Sequence, residues 1–231
     1  MSWWRGRRDD AAPTTSASGA GGSDQPSLAD GEPTASGWDA IDAACRRLYG
    51  DQQPRHVGYA PGRAFGSVLQ GCSAYRADDH WHYVTYGLSN LFDDDEGEND
   101  GFSGWGHELA WRVRDPGAEA QAPGWPFTVL QRLAKWASDG GVLLAEGSRL
   151  TIGTPVTGYP HTDGPDTPLT GVLVATDPEL GEIDTANGRV RFLQFVAVDA
   201  ETLAVAQEAG STAVIDRLRQ ADPLMVTVVG G

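Results

Sequence analysis

Between residues 36 and 231 the large apolar side chains change period in blocks: one helical run, a group of strand runs, a second helix, more strands, then two short helices. Parallel sheets need a crossover between consecutive strands, so a chain patterned this way is not a strict alternation of strand and helix. It predicts an α+β domain, a mixed central β-sheet flanked by helices. In "SGWDAIDAACRRLYG" Ile41, Cys45 and Leu48 recur at helical spacing, with Ser36 placed to cap the start and Gly50 to stop it. "DQQPRHVGYAPG" reads as a loop from its Pro and Gly content. "SVLQGCSAYRA", "WHYVTYGL" and "HELAWRVRD" read as three neighbouring strands.

The clearest helix is "GWPFTVLQRLAKWASDGG", where Pro126 suits the first turn, Val129, Leu130, Leu133 and Trp136 form a stripe, and Gly140 ends it. "RLTIGTPV", "TGVLVAT" and "GRVRFLQFVAVD" follow as strands, the last entered through "DTANGR", whose Asn187 and Gly188 are a hairpin signal. Asp199 and Ser211 are placed to cap "AETLAVAQEAG" and "TAVIDRLRQA", and "LMVTVV" closes the chain as a strand.

Residues 1–35 are rich in Ser, Gly, Ala, Pro and Thr, too poor in large apolar groups to offset the entropy of ordering, and read as a disordered tail. Residues 36–231 form the domain. The whole chain has 17 basic and 32 acidic residues, a net charge of −15, and most of the surplus falls on the domain. Nucleic acid and anionic membranes would be repelled, whereas a basic protein would be attracted. Cys45 and Cys72 match neither a disulfide framework nor a zinc ribbon and read as buried thiols of a cytoplasmic protein. No secretory signal or membrane-length apolar run is present.

The stretch "HWHYVTYGLSNLFDDDEGEND" concentrates the chemistry. In a strand His80 and His82 share a face, so both imidazoles can reach one metal ion, with His107 or a carboxylate completing the shell; a metal-dependent hydrolase is the enzyme reading that follows. The other reading makes the pair framework, with Trp81 and Tyr83 facing a core. The acids Asp93, Asp94, Asp95, Glu96, Glu98 and Asp100 do not fit a calcium loop, because His107 falls where the bidentate Glu belongs. They read as a solvated loop held extended by self-repulsion. Ser103 in "GFSGWGH" fails the nucleophile-elbow spacing, and Lys135, the sole lysine, lacks the glycines of a P-loop. Nothing calls for a cofactor. Trp105, Trp111, Trp125 and Trp136 read as core anchors, any exposed one marking a contact surface.

Taken in order, "HWHYVTYGLSNLF", "SGWGHELAWRV", "WPFTVLQRLAKW", "LVATDPEL" and "VRFLQFVAVDAETLAVAQEAGSTAVIDRL" resemble the N-terminal domain of the Suppressor of fused family, from about Trp38 to about Val229. The resemblance implies a mixed sheet with flanking helices and no catalytic activity. It makes His80, Trp81, His82, Tyr83, Gly87, Leu88 and Ser89 the framework of a central strand and its exit. Asp93 to Asp95 become a candidate contact surface, and Glu108 a buried, hydrogen-bonded carboxylate. Two-domain animal members bind Gli-type transcription factors by clasping a peptide strand between their domains; this chain matches only the first of those domains, so that function is not carried over. Single-domain members look bacterial, and the scarcity of lysine beside alanine, glycine and arginine is consistent with that origin. That group implies an immunity protein neutralising a basic toxin domain. A regulatory scaffold that adds a peptide strand to a sheet edge is a further alternative.

Overall fold

The computed structural model describes residues 34–60, 68–93, 101–116 and 120–230. The tail assigned to 1–35 lies, except for Thr34 and Ala35, outside the described residues. The chain runs α1 (Ser36–Tyr49), β1 (Arg55–Gly58), β2 (Gly71–Arg76), β3 (Trp81–Tyr86), β4 (Phe102–Arg114), α2 (Trp125–Asp139), β5 (Arg149–Thr151), β6 (Leu169–Thr176), β7 (Glu182–Thr185), β8 (Gly188–Asp199), α3 (Ala200–Ala209), α4 (Ser211–Ala221) and β9 (Thr227–Val228). One mixed sheet takes the order β1-β2-β3-β4-β8-β6-β5, with β7 paired to β8 and β9 to β4. β2, β3 and β4 are antiparallel neighbours, while β4 and β8, far apart in sequence, pair in parallel at the centre.

Strand alternation sorts the sheet into two faces. Trp81 and Tyr83 of β3, Leu109, Trp111 and Val113 of β4, and Leu193 and Phe195 of β8 point toward α2, which buries Trp125, Phe127 and Leu130 against them. On the other face the intervening residues divide between two helical covers. Val84, Tyr86 and Phe192 pack under α1 with Ile41 and Cys45; Leu173, Ala175, Val196 and Val198 pack under α3 and α4. His82, Arg112 and Gln194 belong by alternation to this second face, and all three are fully buried.

Several local expectations shift. "RHVG" is a strand, β1, paired to β2, although Pro54 and the glycines around it suggested a loop. β4 begins earlier than "HELAWRVRD", because Gly104 and Gly106 adopt positive φ and let the strand bend through an irregular register against β8. β5 and β9 are much shorter than the apolar runs that suggested them. Asp199 caps α3 as expected, accepting from the Thr202 amide at 2.7 Å. Ser36 and Ser211 do not cap: each is already the first helical residue, and the Ser36 hydroxyl donates to Asp93 instead. Trp136 is 51% exposed, so the stripe of α2 ends at Leu133 and turns toward Ala134 and Ala137. Both cysteines are free and buried, and burial pushes the Cys45 thiol up to about 12.

Trp111 anchors the α2 face. Its ring meets Trp125 edge-on at 5.1 Å and Phe195 at 6.2 Å, and its indole N–H donates to Thr227 Oγ1 at 3.0 Å, fastening β9 to the centre of the sheet. Trp111→Ala should therefore cost about 3–5 kcal/mol, read by urea denaturation, since it opens a cavity and frees the C-terminal strand together.

Candidate functional site

His80, just before β3, and His82 within it share a face, and that face already holds a cation. Arg112, the register partner of His82 on β4, donates through Nε to Gln194 Oε1 at 3.2 Å and through one terminal nitrogen to both oxygens of Asp177 at 3.0 and 3.1 Å. Its other terminal nitrogen meets Glu179 Oε2 at 2.9 Å and faces His80 Nε2 at 3.4 Å. Gln194 passes the connection on, donating to the Leu224 and Met225 carbonyls. The result is a polar row across the sheet, wedged between the α1 cluster and the α3/α4 cluster.

Asp177 reaches the row because the chain leaves the sheet there. Pro178 cannot continue a ladder, so residues 177–181 loop out between β6 and β7, closed by Gly181 N–H donating to the Asp177 carbonyl at 3.0 Å. The carboxylate turned inward also accepts from the Glu179 and Leu180 amides. Burial opposes its ionisation, but His82 and Arg112 outweigh that and hold the carboxyl well below the usual range. His82 is itself driven toward the neutral form by burial, so the charge that keeps Asp177 ionised is the guanidinium of Arg112.

His82 has both ring nitrogens engaged. Nδ1 lies 2.7 Å from Tyr49 Oη, and Nε2 lies 3.1 Å from Asp177 Oδ2, within ion-pair range though off the line of a full hydrogen bond. His80 Nδ1 bonds to Asp79 Oδ1 at 2.9 Å. His107, the third member of the sequence-derived metal set, lies elsewhere, its Nδ1 bonded to the Trp105 carbonyl at 3.0 Å. Among the described residues no group of three or more His, Cys, Asp or Glu side chains is disposed to hold a metal ion. The pair is wired into an Arg–Asp framework, and this geometry lends the hydrolase reading no support.

Glu108 organises the other end of β3. Fully buried, it accepts the amides of Gly87, Leu88 and Ser89 and the Ser89 hydroxyl on Oε1, and the Thr85 hydroxyl on Oε2, all between 2.7 and 3.1 Å. Gly87 turns at φ 123°, which lets three successive N–H groups converge on one oxygen. Burial nevertheless pushes the Glu108 carboxyl up to about 7 against the pull of those donors. Beyond Ser89 the loop is held from three further elements. Leu91 O accepts from Gly37 and Trp38 of α1, Asn90 N–H donates to Ser103 Oγ of β4, and Asn187 of the β7–β8 turn donates to the Asn90 and Phe92 carbonyls.

This frame delivers the chain to the acidic stretch. Asp93 is exposed at its end, its amide bonded to the Thr34 carbonyl and its carboxylate accepting from Ser36. Asp94, Asp95, Glu96, Glu98 and Asp100 lie outside the described residues. Of the family-signature residues, His80, Trp81, His82, Tyr83, Leu88 and Ser89 are buried and Gly87 is half-buried. Sequence reasoning missed Arg112, Asp177, Glu179 and Gln194. The available signal was Arg112 itself, which alternation in "LAWRV" sets opposite Leu109, Trp111 and Val113, on the face that His82 shares.

The geometry is that of an α+β scaffold whose buried titratable groups are committed to internal bonds. The sequence profile of Suppressor of fused protein matches residues 67–230, and the chain belongs to the Suppressor of fused family. The human Suppressor of fused homolog is 30% identical over 210 residues, covering 84% of this chain and 41% of its own length; the mouse homolog is 31% identical over the same span. The chain thus spans less than half the length of these relatives. Among solved structures, a chain from a Sufu–Fu complex matches with a TM-score of 0.75 at 28% identity, over 84% of this chain and 90% of its own length. Drosophila Suppressor of Fused matches at 0.73 and 27% identity, over 84% and 50%. A Neisseria gonorrhoeae homolog at 0.55 and 14% identity shares the fold, over 79% and 88%.

Two substitutions test the buried groups. Asp177→Asn should cost about 3–5 kcal/mol at pH 7 in urea denaturation, because it strips Arg112 of its fully buried counter-charge. Glu108→Gln should change the pH profile. A carboxyl raised by burial stabilises the fold fully below its unfolded value of about 4.3 and loses that contribution as pH rises through about 7. The wild type should show that decline across this window, and the glutamine variant should lack it.

Proposed function

We propose that this chain is a noncatalytic protein-binding domain whose recognition surface is the acidic stretch Asp93, Asp94, Asp95, Glu96, Glu98 and Asp100, and whose partner is a basic protein. The observation that carries the reading is the likeness, at 28% identity and over 90% of its length, to a chain crystallised in a Sufu–Fu complex. The charge of −15 supports a basic partner, since complementary charge speeds encounter and penalises wrong partners. The frame around residues 87–93 supports the location, because a contact segment rooted in a rigid scaffold loses less entropy when it binds. In a bacterial cytoplasm the role that suits these properties is an immunity protein that occludes a basic toxin domain. A second reading, peptide addition at a sheet edge, is favoured by β1, which pairs on one side only among the described residues.

The test is association with the toxin-domain products of neighbouring genes, followed by stopped-flow kinetics. Binding should slow as salt rises. Replacing the six acids by their amides should lower the association rate by about tenfold or more while leaving thermal stability near wild type. Unchanged kinetics would remove the acidic surface, and failure of every such product to bind or be neutralised would remove the immunity role.

A further inference from the structure

The sheet ends at β1, whose outer side is unpaired among the described residues. Its register sets Arg55 against Ala74, His56 against Ser73, Val57 against Cys72 and Gly58 against Gly71. Tyr59 N–H donates to the Gln70 carbonyl at 2.9 Å. By the alternation of an antiparallel ladder, Arg55 and Val57 then also face β2, and the amides and carbonyls of His56 and Gly58 point outward. Such groups are a template for one more strand.

Side chains on β1 divide between the two faces of the sheet. Val57 packs against the α2-face cluster, and Arg55 lies over the Phe127 ring at 5.1 Å. His56 takes the α1 face, its Nδ1 2.9 Å from Ser73 Oγ and its ring 5.7 Å from that of Trp38. A Cβ at Gly71 would stand 2.6 Å from His56 Cε1, so the glycine lets the imidazole lie close over β2. Between α1 and β1, on this face, is a groove of about 390 Å³ lined by Trp38, Asp42, Asp51, His56 and Tyr75. The loop from Gly50 to Pro54 forms its rim. That loop is fixed: the Gly50 amide donates to the Arg46 carbonyl at 2.8 Å, and the Gln52 side chain donates to the Arg76 carbonyl and accepts from its amide, at 3.0 and 2.6 Å. An open edge and a shaped groove thus run side by side.

The groove's own charges select the occupant. Asp42 and Asp51 line it, and Arg46 is the one arginine or lysine that does. Asp42 is half-buried and accepts from Tyr86 Oη at 2.9 Å, which turns it toward the sheet, whereas Arg46 is exposed one helical turn further on. Neither carboxylate has a cationic partner among the described residues. Burial holds the His56 imidazole toward its neutral form, so it does not offset them. The surplus is negative.

We propose that β1 and this groove together take an extended basic segment of a partner protein. Its backbone pairs with His56 and Gly58, and a lysine or arginine beside His56 reaches toward Asp42 and Asp51. Residues alternate across a strand, so the next side chain falls on the other face beside Val57, where an apolar group fits. The proposal rests on the strand-addition reading and supplies the chemistry of the added strand.

The probes are three fluorescein-labelled peptides in which valine alternates with lysine, serine or glutamate, titrated into the full chain at physiological ionic strength. Fluorescence anisotropy measures binding. Amide hydrogen exchange by NMR locates it: pairing slows exchange at His56 and Gly58, while Tyr59, already bonded to β2, serves as the internal reference. The lysine peptide should bind best and the glutamate peptide worst. D42N/D51N should weaken the lysine peptide by about tenfold and leave the serine peptide unchanged. Asparagine at 42 can still accept from Tyr86. G58P should abolish protection, since it removes an outward N–H at a position where a Cβ meets nothing within 4 Å.

Equal binding of the three peptides, or of the lysine peptide to wild type and D42N/D51N, with protection at His56 and Gly58 would overturn the groove and leave the strand-addition reading standing. Lysine-peptide binding without protection of those amides would overturn the proposal as diffuse charge attraction. No protection by any of the three at millimolar concentration would remove the reading as well as the groove.

Discussion

A guanidinium buried in the middle of a sheet has to be neutralised from within, and in this domain Arg112 makes that demand. Its donors take Asp177, Glu179 and Gln194, side chains drawn from a loop after β6 and from β8, and it faces His80 across the hairpin. Desolvating such a group is expensive, and only a near-complete set of partners makes it tolerable. The inward turn of Asp177 and the polar row between two apolar clusters go with one permanent cation there, while His82 is held neutral chiefly by its own burial. A hydrophobic row would pack as well; the charged row adds directionality, since Arg112 accepts only one arrangement of β3, β4, β8 and the β6–β7 loop.

Glu108 plays the complementary part at the end of β3. Its carboxylate gathers three consecutive amides and two hydroxyls, converting the exit of the strand from a flexible turn into a fixed support. The Leu88 carbonyl of that support carries the Trp105 bulge, and its continuation carries Asp93. One buried acid thereby supports both the Trp105 bulge and the segment that leads to Asp93.

Much of this was legible in the chain, for identifiable reasons. Trp81 and Tyr83 alternate with His80 and His82, so a single strand pattern already separated core from polar face, and the tertiary contacts keep that separation. Asp199 caps α3 because its partner, Thr202, is three residues away. Ser36 defeats the same logic, its hydroxyl going to Asp93, 57 positions distant. β1 was hidden because Pro54 and Gly58 bracket a strand of only four residues whose stability comes from pairing with β2 rather than from its own propensity. Trp105 and Trp136 look like Trp111 and Trp125 in sequence; only the positive-φ glycines and the end of the α2 stripe turn them outward.

By itself the sequence determined the α+β class, most of the elements, the buried cysteines and the excess of acid, because those rest on periodicity, composition and neighbours within a turn or two. The tertiary structure alone decided that the histidines serve an ion pair, that Glu108 holds the exit of β3, and that Asp42 and His56, on different elements, share one groove. The reason is range. A charge seeking its counter-charge in a dry interior is satisfied by whichever residue folding brings within about 3 Å, and Arg112 finds its own in Asp177, 65 positions along the chain.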